Sequence, residues 1–234
     1  MTAARSPHSN RVQPLLGSSM YASRLFAITL AVAVVVTLGL AAYTHGGTPQ
    51  FVTVAVACVV GFASWIATTY RRPPSRPAAL DLYVATLVAL TVLYAEQWSR
   101  GFSSRLMQLY PAAYSTGVGL TDHAFVAVFP LAGSALLLLG GLTYYHGAAF
   151  GRFAAWFTFA WGATTALAVY LYPLFTREPA GLMPGAISAP LPLVTSLLGM
   201  RALIRREGVG PATYAARLDR ELDRALVKAR RVAR

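Results

Sequence analysis

Six long apolar runs constrain this chain more than any other feature of its sequence. Each run is close to the ~20 residues that a helix needs to cross a bilayer. The runs are Leu25–Tyr43, Phe51–Tyr70, Ala78–Trp98, Thr121–Tyr145, Phe150–Phe175 and Ala186–Ile204. Backbone N–H and C=O groups need partners inside hydrocarbon, so such runs form helices. The sequence therefore predicts an all-α, polytopic integral membrane protein with six transmembrane helices over residues 24–204.

The composition agrees with this class and argues against a nucleic-acid-binding protein. Only 12% of the residues are charged and 56% are hydrophobic, whereas about 25% are charged in an ordinary soluble domain. The net charge is +12, but the basic residues flank the apolar runs. This distribution indicates membrane topology and anionic lipid as the partner. Arginine far outnumbers lysine, which favours a GC-rich bacterial source and hence the plasma membrane.

The two ends of the chain are polar. Residues 1–23 are predicted to be a disordered cytoplasmic N-terminus. In residues 205–234, Leu218, Leu222 and Leu226 recur at helical spacing opposite Arg220 and Arg224. This pattern predicts a basic amphipathic helix that rests on anionic headgroups; the alternative is a helix that binds a partner protein.

The positive-inside rule sets the orientation. With the basic tail left out, seven arginines fall on the side of the termini: Arg5, Arg11, Arg24, Arg71, Arg72, Arg76 and Arg152. Three fall on the other side: Arg100, Arg105 and Arg177. Both termini are therefore predicted to be cytoplasmic.

This orientation brings three acidic residues to the outer face, Glu96, Asp122 and Glu178. Glu96 closes the third run, and a carboxylate at the rim of a membrane helix marks a candidate site. We predict that Glu96 acts as an acid or base with Asp122, which opens the fourth run, as its partner. The structural alternatives are that Glu96 pairs with Arg100 at i, i+4 and that Asp122 caps a helix.

His123 follows Asp122 and is a possible metal ligand. Adjacent residues on a helix point about 100° apart, however, which disfavours a centre made by Glu96, Asp122 and His123. The sequence contains no phosphate loop, CxxC pair, HExxH motif or nucleophile elbow. We therefore predict no metal and no cofactor.

Aromatic residues cluster in the third and fifth runs and are candidates for binding a hydrophobic small molecule. Core packing and interfacial aromatic belts are the alternative explanation. The candidate substrate-binding residues are Tyr94, Trp98, Trp156, Trp161, Tyr170 and Tyr172. The connection Ser99–Leu120 is also rich in apolar residues, so we expect it to lie in the interface or to fold back as a short helix.

Residues 93–102, LYAEQWSRGF, and residues 179–192, PAGLMPGAISAPLP, resemble parts of a bacterial membrane family of unknown function. That family is named for a His-x-x-Glu-Glu (HXXEE) motif at the end of a span, and the resemblance covers about residues 80–204. Glu96 matches a motif position, whereas Leu93 stands at the histidine and Gln97 at the second glutamate. The resemblance implies a multi-span fold but no activity.

The leading functional hypothesis is a membrane-embedded enzyme, of isomerase or cyclase type, that acts on an isoprenoid-like substrate by acid–base chemistry. Glu96 and Asp122 would exchange protons, and the aromatic residues would stabilise positive charge. Two other classes fit the same residues. One is a small transporter coupled to protons or cations, and the other is an accessory subunit of a larger membrane complex.

Overall fold

The computed structural model describes residues 13–45, 47–70, 79–111, 133–176 and 183–206, and all regular structure in these ranges is helical. The helices are α1 Gln13–His45, α2 Gly47–Thr68, α3 Leu80–Ser99, α4 Phe102–Leu109, α5 Gly133–Tyr145, α6 Ala149–Thr176 and α7 Pro190–Arg206. Four of them, α1, α2, α3 and α6, are long and apolar enough to cross a membrane. The described residues thus confirm the all-α class and are compatible with a multi-pass membrane protein.

Two predicted boundaries were wrong. The first helix begins at Gln13, so residues 13–23 of the predicted disordered segment are helical; Pro14 is tolerated because it lies in the first turn. The last helix begins at Pro190 instead of Ala186, after a series of turns. Gly185 has φ +96° there, which a helix does not allow, and Pro190 suits the first helical position.

Other predictions fall partly or wholly outside the described residues. Of the fourth apolar run, the structure describes only the part from Gly133 onward. The amphipathic tail after Arg206 is also outside the described ranges. The count of six spans and the basic C-terminal helix therefore stay predictions.

Helix α6 is the core of the bundle and packs against each of the six other described helices. Of its span Ala149–Phe175, 72% is buried, against 11% of Ser23–Leu40 in α1. Small residues permit this close packing: Ala155, Ala160 and Ala166 are fully buried. In α2, a Cβ on Gly61 would come within 2.9 Å of the Phe157 Cα atom. Small residues at such contacts are typical of membrane helices.

Helix α3 packs one face of its length against α5, α6 and α7. Its buried residues Tyr83, Thr86, Leu90, Leu93 and Gln97 follow each other at spacings of three or four, as expected for one helical face. The face ends in a buried polar amide, Gln97, which is only 1% exposed. A buried amide group therefore lies at the C-terminal end of α3.

The chain folds back after α3. Gly101 adopts the left-handed conformation with φ 65° and starts the short helix α4. Phe102, Leu106 and Leu109 are buried at spacings of four and three. The prediction of a short helix in this connection is confirmed.

Candidate functional site

Several chain segments meet at one end of the bundle, which we call the Glu96 end. It comprises the start of α2, the end of α3, helix α4, the end of α6 and residues 183–189. The hydroxyl of Tyr110 donates to the Tyr172 carbonyl at 2.7 Å, and the hydroxyl of Tyr170 donates to the Ala186 carbonyl at 2.6 Å. These bonds tie α4 and the 183–189 turns to α6.

Glu96 is held tightly in this region. Its Oε2 atom accepts hydrogen bonds from the Ser188 backbone N–H at 2.9 Å and from the Ser188 hydroxyl at 2.6 Å. Its Oε1 atom lies 3.4 Å from Arg100 Nη1, an ion pair without the geometry of a hydrogen bond. The carboxylate side chain is 12% exposed, and Arg100 is 51% exposed. Glu96 therefore anchors the turns that lead into α7, whose N-terminus favours a negative charge.

These contacts test the predicted pairing of Glu96. Its pairing with Arg100 is confirmed, and Ser188 is a second partner that the sequence did not reveal. Glu96 is absent from the lining of both cavities described below. Asp122 and His123 lie outside the described residues. The predicted acid–base pair consequently stays a prediction.

A small cavity of about 40 Å³ lies between α2, α3 and α6. Two of its lining residues, Tyr94 and Gln97, flank Glu96 in the sequence. Gln50, Tyr94, Gln97, Trp161, Thr165 and Tyr172 contribute to its lining. The Trp161 indole N–H donates to the Tyr94 hydroxyl at 2.6 Å. Two polar atoms, Gln50 Oε1 and Thr165 Oγ1, are buried without a hydrogen-bond partner. Buried polar atoms without partners are uncommon and call for an explanation.

A larger groove of about 940 Å³ opens on the outside of the bundle between α2, α4 and α6. Most of its lining is apolar and includes Val52, Val56, Leu109, Leu167, Leu171 and Phe175. Among the described residues that line it, none is Asp, Glu, Lys, Arg or His. Drug-sized ligands occupy cavities of roughly 300–1,000 Å³, so the groove has the volume for a ligand of that size.

The groove and the small cavity share three lining residues, Thr53, Ala168 and Tyr172. The hydroxyls of Thr53 and Tyr172 are 2.6 Å apart and bonded to each other. Both also approach the Pro49 carbonyl, at 3.1 Å and 3.3 Å. This hydrogen-bonded pair of hydroxyl groups therefore stands between the groove and the small cavity.

The structure separates the six aromatic candidates into two groups. Tyr94, Trp161 and Tyr172 line the small cavity together. The other three are absent from the lining of both cavities: Trp98 is 57% exposed, Trp156 is buried in the core, and the hydroxyl of Tyr170 holds the 183–189 turns.

Sequence reasoning missed the neutral polar residues Gln50, Thr53, Gln97 and Thr165. Each was a polar residue at or inside an apolar run, and this signal was available. These residues are neutral, whereas the predicted acid–base site consists of ionisable groups. Among the described residues, no group of three or more His, Cys, Asp and Glu side chains could hold a metal ion.

No family model, curated protein or solved structure matches this chain. The resemblance to the HXXEE family therefore stays a prediction. The function is therefore inferred from the chemistry of the Glu96 end.

Proposed function

We propose that this protein is a multi-pass membrane protein that binds a neutral, long-chain lipid-like molecule in the groove between α2, α4 and α6. The observation that carries the proposal is the groove itself: a volume of about 940 Å³ with an apolar lining and no ionisable acid or base among its described lining residues other than tyrosine. An unpaired charge in such surroundings is strongly unfavourable. A neutral ligand fits, whereas a phosphorylated one meets no counter-charge among the described lining residues.

The dimensions of the groove fit one half of a bilayer. From Thr164 to Phe175 its α6 wall rises about 16 Å at about 1.5 Å per residue. A bilayer hydrocarbon core is about 30 Å thick. Val52 and Val56, which line the opposite wall, are half exposed. An alkyl chain lying in the groove would therefore remain at the depth of a single leaflet.

The membrane topology, with six spans and both termini in the cytoplasm, is part of this proposal. Six spans with both termini in the cytoplasm would place the Glu96 end, and the groove with it, in the outer leaflet of a bacterial plasma membrane. The basic tail would rest on anionic headgroups of the inner leaflet. Any acid–base reaction by Glu96 and Asp122 on the bound molecule is a further hypothesis, because Glu96 is occupied by Ser188 and Arg100.

The test uses purified protein in lipid nanodiscs and hexadecanol with a photoactivatable diazirine at mid-chain. We expect saturable labelling that excess hexadecanol competes away and that maps to α2 or α6. Val56→Trp fills the groove, and it should raise the half-saturating concentration at least about fivefold, or ~1 kcal/mol.

The matched control is Val59→Trp, because Val59 is an exposed valine of the same helix that is absent from the groove lining. It should label like the wild type. Labelling that does not saturate, or that both variants change equally, would overturn the proposal.

A further inference from the structure

The small cavity contains a buried amide that lacks part of its hydrogen bonding. Gln50 is 6% exposed, lines the cavity, and has an Oε1 atom with no hydrogen-bond partner. An amide presents a donor and an acceptor at one position. The cavity thus offers a polar contact that no described residue takes.

Thr165 is a second residue of the cavity lining whose polar atom lacks a hydrogen-bond partner. Two other threonines of α6 do have partners. The hydroxyls of Thr158 and Thr164 donate to backbone carbonyls of their own helix, at Ala154 and Ala160, each at 2.8 Å. The Thr165 hydroxyl interacts with the Tyr94 hydroxyl, but its Oγ1 atom has no partner that meets strict hydrogen-bond geometry. It can therefore form a better hydrogen bond with a group in the cavity.

The cavity restricts the size and charge of what it can hold. A volume of about 10–15 Å³ on this scale accommodates one water, so about 40 Å³ accommodates only a few heavy atoms. None of the described lining residues is Asp, Glu, Lys, Arg or His. A charged group would be buried there without an opposite charge, which is strongly unfavourable.

A hydroxyl group satisfies all of these conditions. It donates one hydrogen bond and accepts others, so it can pair with the Gln50 amide in either orientation and with Thr165 at the same time. The shared Thr53 and Tyr172 side chains connect this position to the groove. A chain in the groove reaches the cavity only when the hydrogen bond between Thr53 and Tyr172 opens, because their hydroxyls are 2.6 Å apart.

We propose that the small cavity is the head-group site of the ligand, and that it selects a terminal hydroxyl through Gln50 and Thr165. The inference rests on the proposed function, because it assigns the head of a molecule whose chain occupies the groove. It narrows the ligand class to neutral long-chain or isoprenoid alcohols. Phosphate esters and hydrocarbons without a hydroxyl are excluded from tight binding.

The experiment compares two photoactivatable probes in nanodiscs, the diazirine hexadecanol and its methyl ether, which keeps the chain but removes the hydroxyl proton. For the wild type we expect the alcohol to half-saturate at about a tenfold lower concentration than the ether. Thr165→Val and Gln50→Leu should each bring this ratio toward one while leaving the ether unchanged.

Thr164→Val is the matched control, because Thr164 is the adjacent residue, its hydroxyl bonds its own helix, and it lines the groove but not the small cavity. The tenfold ratio should survive in it. Elution volume and thermal unfolding verify that each variant is folded, and the use of two cavity variants keeps the test decisive if one fails this check.

The outcomes separate the two proposals. If neither probe labels the groove saturably, the proposed function is wrong. If both probes label it at equal concentrations in the wild type, the groove binds chains but the cavity holds water only, and the head-group inference is wrong. If Thr165→Val and Gln50→Leu leave the ratio unchanged, the ligand hydroxyl does not occupy this cavity. The same conclusion follows if Thr164→Val also abolishes the ratio.

Discussion

At each end of the helical bundle, one charged side chain bonds to the backbone beside the end of a neighbouring helix. The surroundings of the two side chains differ. At the Glu96 end, the carboxylate accepts from the Ser188 N–H just before α7. The opposite end, which we call the Arg152 end, comprises the end of α2, the start of α3, the end of α5 and the start of α6. There the buried Arg152 donates to the Thr69 carbonyl just past α2, at 3.3 Å. Each charge complements the dipole of the helix that it contacts, the N-terminus of α7 for Glu96 and the C-terminus of α2 for Arg152, while it opposes the dipole of its own helix.

The surroundings of these two charges are different. At the Arg152 end, Gly151 lies against the backbone of Tyr144. The Tyr144 hydroxyl accepts the Ala79 N–H at 3.2 Å, and the rings of Trp65 and Phe153 pack with centroids 5.5 Å apart. These contacts join backbone to backbone, backbone to a side-chain hydroxyl, and ring to ring. They fix the geometry of the helices.

At the Glu96 end the same helices separate around the small cavity and the groove. Buried polar atoms without hydrogen-bond partners occur at both ends. At the Arg152 end, these atoms are Trp65 Nε1 and Thr69 Oγ1. Gln50 and Thr165 differ in that they line a cavity. In this bundle the two charges therefore bond to helix ends, whereas the unpaired neutral groups beside the cavity are those to which we assign ligand binding.

The largest effect should come from the packing at the Arg152 end. In Gly151→Ala, the new Cβ would collide with the backbone of Thr143 and Tyr144, which cannot move without separating α5 from α6. We expect a loss of about 3 kcal/mol in unfolding free energy, measured by circular dichroism in mixed micelles. Gly39→Ala is the control, because nothing lies within 4 Å of its Cβ position, and it should lose nothing. Equal stabilities would mean that this contact is loose.

A somewhat smaller loss is expected at the Glu96 end. Glu96→Ala leaves the Ser188 N–H and hydroxyl without their acceptor, which should lower the unfolding free energy by about 2–3 kcal/mol. Arg100→Ala removes a half-exposed partner and should lose less than about 1 kcal/mol. Glu96→Gln keeps an acceptor oxygen and should fall between them. If Arg100→Ala and Glu96→Ala are equally damaging, the ion pair, and not the Ser188 contact, holds the turns in place.

Much of this fold could be predicted from the sequence, because apolar length and helical spacing are local properties. The fifth run, predicted over Phe150–Phe175, is helix α6 at Ala149–Thr176. The start of α7 was missed because the backbone conformation of Gly185 depends on its contact with Leu93 and Gln97 of α3. A Cβ there would lie 2.8 Å from the Gln97 Cγ atom. Such tertiary constraints do not appear in periodicity.

The candidate site was predicted less well, for a related reason. Glu96 stood out because a charge near hydrocarbon is costly, but its partner Ser188 is far away in the sequence. The amides and hydroxyls of the small cavity come from three helices, and none has a local pattern that shows it is unpaired. Tyr94, Trp161 and Tyr172 were predicted because aromatic residues are conspicuous in any sequence.

The smallest expected effect distinguishes the two ends most clearly, because its sign differs from that of the others. Thr165→Val keeps the side-chain shape and removes a hydroxyl that has no partner. We expect unchanged stability or a gain of up to about 1 kcal/mol, since an unpaired buried polar group is itself destabilising. Thr158→Val, which loses a bond to the Ala154 carbonyl, should show no such gain. A clear loss in Thr165→Val would mean that this hydroxyl supports the fold, and the Glu96 end would then be a second packing region.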